Sequence, residues 1–336
     1  MDLLTYSIER MGICGQIICR AVGSAPWGIQ VAEDLHAPFY FMQAGSAWIE
    51  ISDQHKIHLD QGDLLFLPHG HAHRVVDHVT SEAHALFEWE TSNSYSICPI
   101  RTWSGEGIEA QILCGVYRLD YSFFAEMILE QFPTWIHIQM SHHQARHIRP
   151  ALQLLLNELN THAMGGHRVV MHTLELLLIK SLRVWIASQS PTLGWLNATR
   201  EPHISQAVAT LLQRPEEQWT VASIAQEVNM SRASFAREFL RLVGQPPLTF
   251  LTTLRMNLAS YLLTIEGESI TSIGIQVGYK SEAAFTRAFK KHFGVPPSRY
   301  RVHHDQIEGH KTFLSTDWQQ LLAQPMRLSQ LDEEIS

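Results

Sequence analysis

The C-terminal third of the chain carries an internal duplication, and no other feature restricts its fold as strongly. Phe235, Phe239, Gly244, Pro246 and Pro247 recur as Phe285, Phe289, Gly294, Pro296 and Pro297, with the spacing F-x3-F-x4-G-x-P-P and a constant offset of 50. Upstream, Ile224 and Val228 match Ile273 and Val277 at an offset of 49, so one residue is inserted in the intervening turn. Each copy reads as a helix-turn-helix. In the first, Thr220 is the N-cap of a helix whose Val221, Ile224, Ala225 and Val228 share one face, Asn229-Met230 is the turn, and Ser231 caps a second helix ending near Val243. In the second, a helix opens at Ser269 or Ile270, Gly278-Tyr279-Lys280 turns, and Ser281 caps a helix ending near Phe293. Both second helices stop at Gly followed by Pro-Pro, because Gly accepts the left-handed position past a helix end and Pro cannot extend a helix. Between the copies, Leu251, Leu254, Leu258 and Leu262 place an apolar helix over Leu248 to Leu263 that would hold the two at a fixed distance.

Paired units of this kind suit double-stranded DNA, where the helix after the turn enters the major groove and successive groove faces recur every ~34 Å. With the phenylalanines inward, the first such helix presents Arg232, Ala233, Ala236 and Arg237, and the second presents Glu282, Ala283, Thr286, Arg287 and Lys290. Arg237 and Arg287 occupy the same repeat position, from which a guanidinium can donate two parallel hydrogen bonds to guanine O6 and N7. The overall formal charge of −8 conceals a split: residues 200–301 hold 12 Lys/Arg against 8 Asp/Glu, a net of +4, while the remainder carries −12. An acidic module joined to a mildly basic one fits a sensor or an enzyme tethered to a polyanion binder.

Residues 1–140 read as mostly β. Phe39–Met42, Ala47–Ser52, Lys56–Leu59 and Leu64–Leu67 are short apolar runs separated by Gly, Asp and Pro turns, the pattern of a small barrel or sandwich. From about 144 the period becomes helical. Two helices, one with Ile148, Leu152, Leu155, Leu156 and Leu159 and one with Val170, Leu174, Leu177, Leu178, Leu182 and Trp185, join at Gly165-Gly166 as a helical hairpin for packing or dimerisation. The expected fold class is therefore α+β and multi-domain. A β-barrel spans 1–140, a hairpin 141–190, a linker 191–202, an all-α tandem helix-turn-helix domain 203–302 and a polar tail 303–336, with a short helix near Trp318 to Leu322. No leader or bilayer-spanning run is read, so the expected location is the cytoplasm. Four cysteines (Cys14, Cys19, Cys98, Cys114) without a CxxC pair exclude a disulfide scaffold and a zinc ribbon.

Trp219 to Arg301 resembles the DNA-binding domain of AraC/XylS-type transcriptional regulators. The resemblance is carried by WTVASIAQEVNMSRASFAREF, GQPPLTFLTTLRMNLASYLL and SITSIGIQVGYKSEAAFTRAFKKHFGVPPSRYR. It implies that the two second helices are the recognition helices, with Ala233, Ala236, Arg237, Glu282, Ala283, Thr286 and Arg287 facing bases. The two alanines leave the first helix with Arg237 and apolar thymine contacts. Gly62-Asp-Leu-Leu-Phe-Leu-Pro68-His-Gly70-His-Ala-His73 matches the second cupin motif, with Asp77 where Asn is expected, while the first motif's HxH pair is missing from VAEDLHAPFYF. A metal-binding cupin enzyme with an ancillary helical domain, using His69, His71 and His73 with His36, is the competing reading; the principal one has no cofactor and is not an enzyme. Trp27, LDQGDLLFLPHGHAHRV and ILCGVYRLD, followed by the helical pair and the TLGWLNATREPHISQAVATLLQRPEEQWTV joint, resemble the cupin sensor of a subgroup that includes regulators of reactive-chlorine and oxidant responses. That resemblance marks Cys19 and Cys114 as sensing thiols, and Arg20 beside Cys19 would favour a thiolate. The alternative for Cys114 is a buried core residue. The signal is left open between an oxidant and a small molecule in the barrel. A homodimer and, for an activator, RNA polymerase complete the expected partners.

Overall fold

The computed structural model describes residues 2–34, 36–52, 55–86, 90–92, 98–118, 123–139, 143–161, 163–188, 194–264 and 268–305. Residues 306–336, with the helix expected near Trp318, and linker residues 191–193 lie outside them. In chain order, helix α1 (Leu3–Arg10) precedes strands β1 (Cys14–Ser24), β2 (Gly28–Val31), β3 (Ala37–Ala44), β4 (Ala47–Ser52), β5 (His55–Leu59), β6 (Leu64–Phe66), β7 (His73–Val76), β8 (His84–Ala85), β9 (Glu90–Ser92), β10 (Ile100–Trp103) and β11 (Glu109–Arg118). Helix α2 (Phe123–Leu129), strand β12 (Ile136–Ile138) and helices α3 (Arg149–Thr161) and α4 (Gly166–Ser188) follow. The remainder is helical: α5 (Pro202–Gln213), α6 (Val221–Glu227), α7 (Arg232–Val243), α8 (Pro247–Thr264), α9 (Ile270–Gln276), α10 (Glu282–Phe293) and α11 (Pro297–Asp305).

The chain forms two compact units that do not follow its linear order. The β-rich unit takes residues 12–119 and 132–188, and the helical unit takes 1–11, 120–131 and 189–312. The first residues join the helices because α1 is tied to α5: Leu3 N donates to Ser205 Oγ at 3.0 Å and the Tyr6 hydroxyl to the Leu212 carbonyl at 3.0 Å. Sequence order alone had placed them with the barrel.

In the β-rich unit the described strands form two sheets, ordered β12-β6-β3-β11-β1-β10-β9 and β5-β4-β7-β2-β8. Trp27, Tyr40, Met42, Ile49, Leu65, Leu67, Val75 and Ile112 belong to the core cluster between them, as alternating strand residues do when one face is buried. The hairpin α3–α4 packs on the outer face of β1 and β11. The Tyr117 hydroxyl donates to the Leu174 carbonyl at 2.9 Å, and Leu174, Leu177, Leu178 and Leu182 are buried. The apolar stripe read from the sequence is thus spent on this packing. Leu154, Met164, Val169 and Leu176 are the large apolar side chains that α3, α4 and their turn leave exposed.

A register shift in β1 between Ile17 and Cys19 determines what points inward. Before it Gly15 packs against Leu174, outside the barrel; after it Cys19 and Ala21 belong to the barrel core. An extra residue in one strand exchanges the faces that successive side chains address.

Candidate functional site

In the helical unit both copies of the duplication fold alike. Thr220 caps α6 by accepting from Ser223 N at 3.0 Å, and Ser269 caps α9 from Ser272 N at 3.0 Å. Ser231 and Ser281 cap α7 and α10 from Ser234 N and Ala284 N, each at 3.3 Å. Gly244 and Gly294 close these helices in the left-handed region with φ of 82° and 79°. Phe235, Phe239, Phe285 and Phe289 are fully buried, each contributing about 1.5–3 kcal/mol by burial. From Ser231 to Leu240 and from Ser281 to Lys290 the pattern of exposed, half-buried and buried residues is identical position by position. Arg232, Ala233, Arg237, Glu282, Ala283, Arg287 and Lys290 are exposed, and Ala236 and Thr286 are half-buried. The faces differ chemically at their first position. Arg232 is cationic, whereas the Glu282 carboxylate accepts a hydrogen bond from the Thr271 hydroxyl on α9.

The two copies meet in a defined joint. Arg255 of α8 donates from Nε to the Pro215 carbonyl and from Nη2 to the Glu217 carbonyl, both at 2.6 Å, and its guanidinium lies 5.9 Å from the Tyr279 ring centroid. Gln218 Nε2 donates to the Gly278 carbonyl at 2.8 Å. The segment leading into the first copy is thereby fixed to the turn of the second. These joint residues went unnoticed in the sequence, where a lone arginine on an apolar helix carries no signal of its partners.

Inside the barrel, register aligns a row of functional groups. Cys19 on β1 pairs with Cys114 on β11, and Cys114 pairs with Tyr40 on β3. Cys19 and Cys114 are 0% and 4% exposed, and both are thiols. Hydrogen bonding to Cys114, reinforced by burial, pushes the Cys19 thiol well above its usual range, while the Arg101 charge pulls the other way. The Tyr40 hydroxyl lies 2.6 Å from His73 Nε2, and His73 Nδ1 lies 2.7 Å from the His71 carbonyl. A carbonyl only accepts, so Nδ1 bears the proton and Nε2 accepts from Tyr40. Burial holds the His73 imidazole neutral, with its pKa lowered to about 4.

Residues 2–187 match the family model described as "Cupin", and residues 224–303 match a helix-turn-helix domain. The HTH-type transcriptional regulator AlkR of Acinetobacter baylyi is 30% identical over 265 residues, covering 76% of this chain and 85% of that protein. The chain belongs to the AraC-type transcriptional regulators that carry an N-terminal cupin domain. The "RCS-specific HTH-type transcriptional activator RclR" of Escherichia coli is 28% identical over 265 residues, covering 78% and 83%. The DNA-binding domain of AdpA, solved with a target DNA, is 30% identical over 31% of this chain and 95% of its own, with a TM-score of 0.30. This family membership makes the protein a DNA-binding regulator, and its curated relatives are named as regulators rather than enzymes.

The cupin of this regulator departs from the metal set considered from its sequence. His69, His71 and His73 do not share a strand face, because the chain turns at Gly70 (φ +63°), where a Cβ would fall 1.9 Å from the Asp34 carbonyl oxygen, and β7 begins only at His73. Both His73 nitrogens are engaged, His69 Nε2 lies 3.1 Å from the Phe132 carbonyl, and His36 Nδ1 lies 2.7 Å from Asp34 Oδ1. Among the described residues no three His, Cys, Asp or Glu side chains converge on a metal position. Asp77, in place of the motif's Asn, accepts from Trp27 N at 2.9 Å and pins the start of β2. Arg20 does not serve Cys19. Its position alternates to the outer face, where Nη2 donates to Asn160 Oδ1 at 3.0 Å.

Proposed function

We propose that this regulator is a thiol switch on a two-site DNA binder, in which oxidation of Cys19 and Cys114 to a disulfide alters how the tandem units engage the operator. The observation that carries it is the pairing of the two thiols across neighbouring strands. Residues directly opposite in an antiparallel pair have Cα atoms about 4.5–5.5 Å apart, within the span a disulfide needs. With hypochlorous acid, the Cys19 sulfur attacks chlorine, the S–Cl bond forms and the O–Cl bond breaks with release of hydroxide. The Cys114 sulfur then attacks the Cys19 sulfur, the S–S bond forms and chloride leaves. Two thiols and one hypochlorous acid thus give one disulfide, chloride, a proton and water.

The DNA-contacting side of the reading assigns Arg237 and Arg287 to base edges. Arg232, Ala233, Ala236, Glu282, Ala283, Thr286 and Lys290 surround them on the groove-facing side of α7 and α10. Their repeated exposure pattern and the joint through Arg255 support this assignment. A homodimer through the exposed apolar side of the hairpin (Leu154, Val169, Leu176), recruitment of RNA polymerase and a cytoplasmic site of action complete the proposal. The names of curated relatives as activators support the polymerase step.

The test uses full-length protein and an operator selected by it from random duplexes. Hypochlorous acid should remove about two hydrogen masses from the wild type and change its operator affinity. Cys19→Ser and Cys114→Ser should each abolish both changes. If either single variant responds as the wild type does, the switch is not this pair.

A further inference from the structure

The barrel interior holds a charge that its packing does not explain. Arg101 on β10 is 4% exposed, yet among the described residues it makes one hydrogen bond, from Nη1 to the Leu86 carbonyl at 3.2 Å, and no ion pair. Its Nε finds no partner among them either. A buried guanidinium so poorly compensated is expensive, and replacing such a charge with an apolar side chain often leaves a protein as stable or more so. Its place in the sheet suggests what the charge is for. β10 runs parallel to β1 with Arg101 opposite Ala21, and Ala21 shares the interior face with Cys19, two residues or about 7 Å along the strand. Arg101 therefore sits one ladder step from the thiol pair, a span an arginine side chain can reach, and its charge acts on Cys19.

We propose that Arg101 is the electrostatic partner of the thiol pair: it stabilises the anion formed at Cys19 and so sets the rate at which the pair is oxidised. This rests on the redox reading given above. Among the described residues, the titratable and charged groups facing Cys19 are Cys114 on β11, Tyr40 beyond it on β3, Cys98 just before β10, and Arg101. Cys114 and burial oppose loss of its proton, and burial pushes the Cys98 thiol itself up to about 12. Arg101 is the group that favours the anion. The arrangement keeps the Cys19 thiol protonated at rest and supplies the counter-charge when its proton departs. Arg101 is a positioning residue, acting on chemistry that occurs between sulfur and oxidant.

The experiment compares full-length wild type, Arg101→Met and Arg101→Lys in three readouts. Peptide mass mapping follows iodoacetamide alkylation of Cys19 against pH, disulfide formation is timed after hypochlorous acid, and thermal unfolding reports the fold. Arg101→Met should move the alkylation profile of Cys19 upward by about one pH unit, slow alkylation and disulfide formation about tenfold at neutral pH, and unfold no lower than the wild type. Arg101→Lys, which keeps the charge, should restore most of the rate. Identical alkylation profiles in wild type and Arg101→Met would overturn the proposal, as would a slow Arg101→Lys with an unshifted profile. If wild type forms no Cys19–Cys114 disulfide, the redox reading falls, and the alkylation profile still decides whether Arg101 acts on Cys19. Should Arg101→Met fail to fold, Arg101→Gln, which also removes the charge, takes its place with the same expected shift and the same overturning result.

Discussion

Substitution of Gly278 by alanine is a sharp probe of the joint between the two helix-turn-helix units. Gly278 sits at φ +85°, a conformation that costs an L-residue with a Cβ about 1–2 kcal/mol. A Cβ there would fall 2.5 Å from the Glu216 carbonyl oxygen and 2.8 Å from Arg255 Nη2. The side chain can yield, but the carbonyl belongs to the segment leading into the first unit and must move with it. That motion strains the Gln218 bond to the Gly278 carbonyl and the Arg255 bond to the Glu217 carbonyl. Each such bond is worth about 0.5–1.5 kcal/mol, so the total loss is about 2–5 kcal/mol. The first unit supplies its own control. Asn229 fills the equivalent turn position at φ 56°, and Asn229→Gly should change stability by less than about 1 kcal/mol. Urea unfolding followed by helical circular dichroism gives the stabilities. Affinity for a two-half-site operator against a single half-site reports the joint, and Gly278→Ala should weaken the former far more. A Gly278→Ala protein with wild-type unfolding midpoint and wild-type two-site affinity would refute the reasoning.

Arg237→Ala and Arg287→Ala should each weaken operator binding by about 1–3 kcal/mol in titrations followed by fluorescence anisotropy, and relax base preference at one position. The affinity of the wild type should fall linearly with log salt as phosphate contacts release counterions, checked in the same assay across a salt series. His73 is neutral in the fold with a pKa of about 4, below the 6.5 of an accessible imidazole. The unfolded chain therefore binds the proton first on acidification. Stability should be intact above pH 6.5 and fall by about 3 kcal/mol on descending to pH 4, a slope that His73→Gln should flatten in denaturant titrations. Leu176→Glu on the exposed side of α4 should shift the protein toward monomer by analytical ultracentrifugation while leaving the fold intact, because Leu176 is exposed in the monomer.

The helical half was legible in detail because its signals are local. Thr220, Ser231 and Ser281 are caps that act within three residues, Gly244 and Gly294 end their helices by their own φ, and the phenylalanine spacing assigns the buried face. The barrel was legible as strands, but its interior was not. Which side of β1 faces inward depends on the irregularity between Ile17 and Cys19, and no residue there announces it. Arg101, between Ile100 and Thr102, carries no sign of the face it addresses until the pairing with Ala21 is known. The histidine run shows the same dependence on geometry. Three alternating histidines promise a shared face only if the strand is continuous, and the turn at Gly70 breaks it. Likewise α1 joins α5 through contacts about 200 residues apart in sequence, beyond the reach of any local pattern.

The decisive measurement is hydroxyl-radical and guanine-methylation footprinting of the full-length protein on its selected operator. Two matched units clamped together by Arg255 and Gln218 should protect two patches on one face of the duplex, about 10 base pairs apart, with guanine interference in one patch removed by Arg237→Ala and in the other by Arg287→Ala. One contiguous patch unaffected by either substitution, or two patches on opposite faces of the helix, would contradict it.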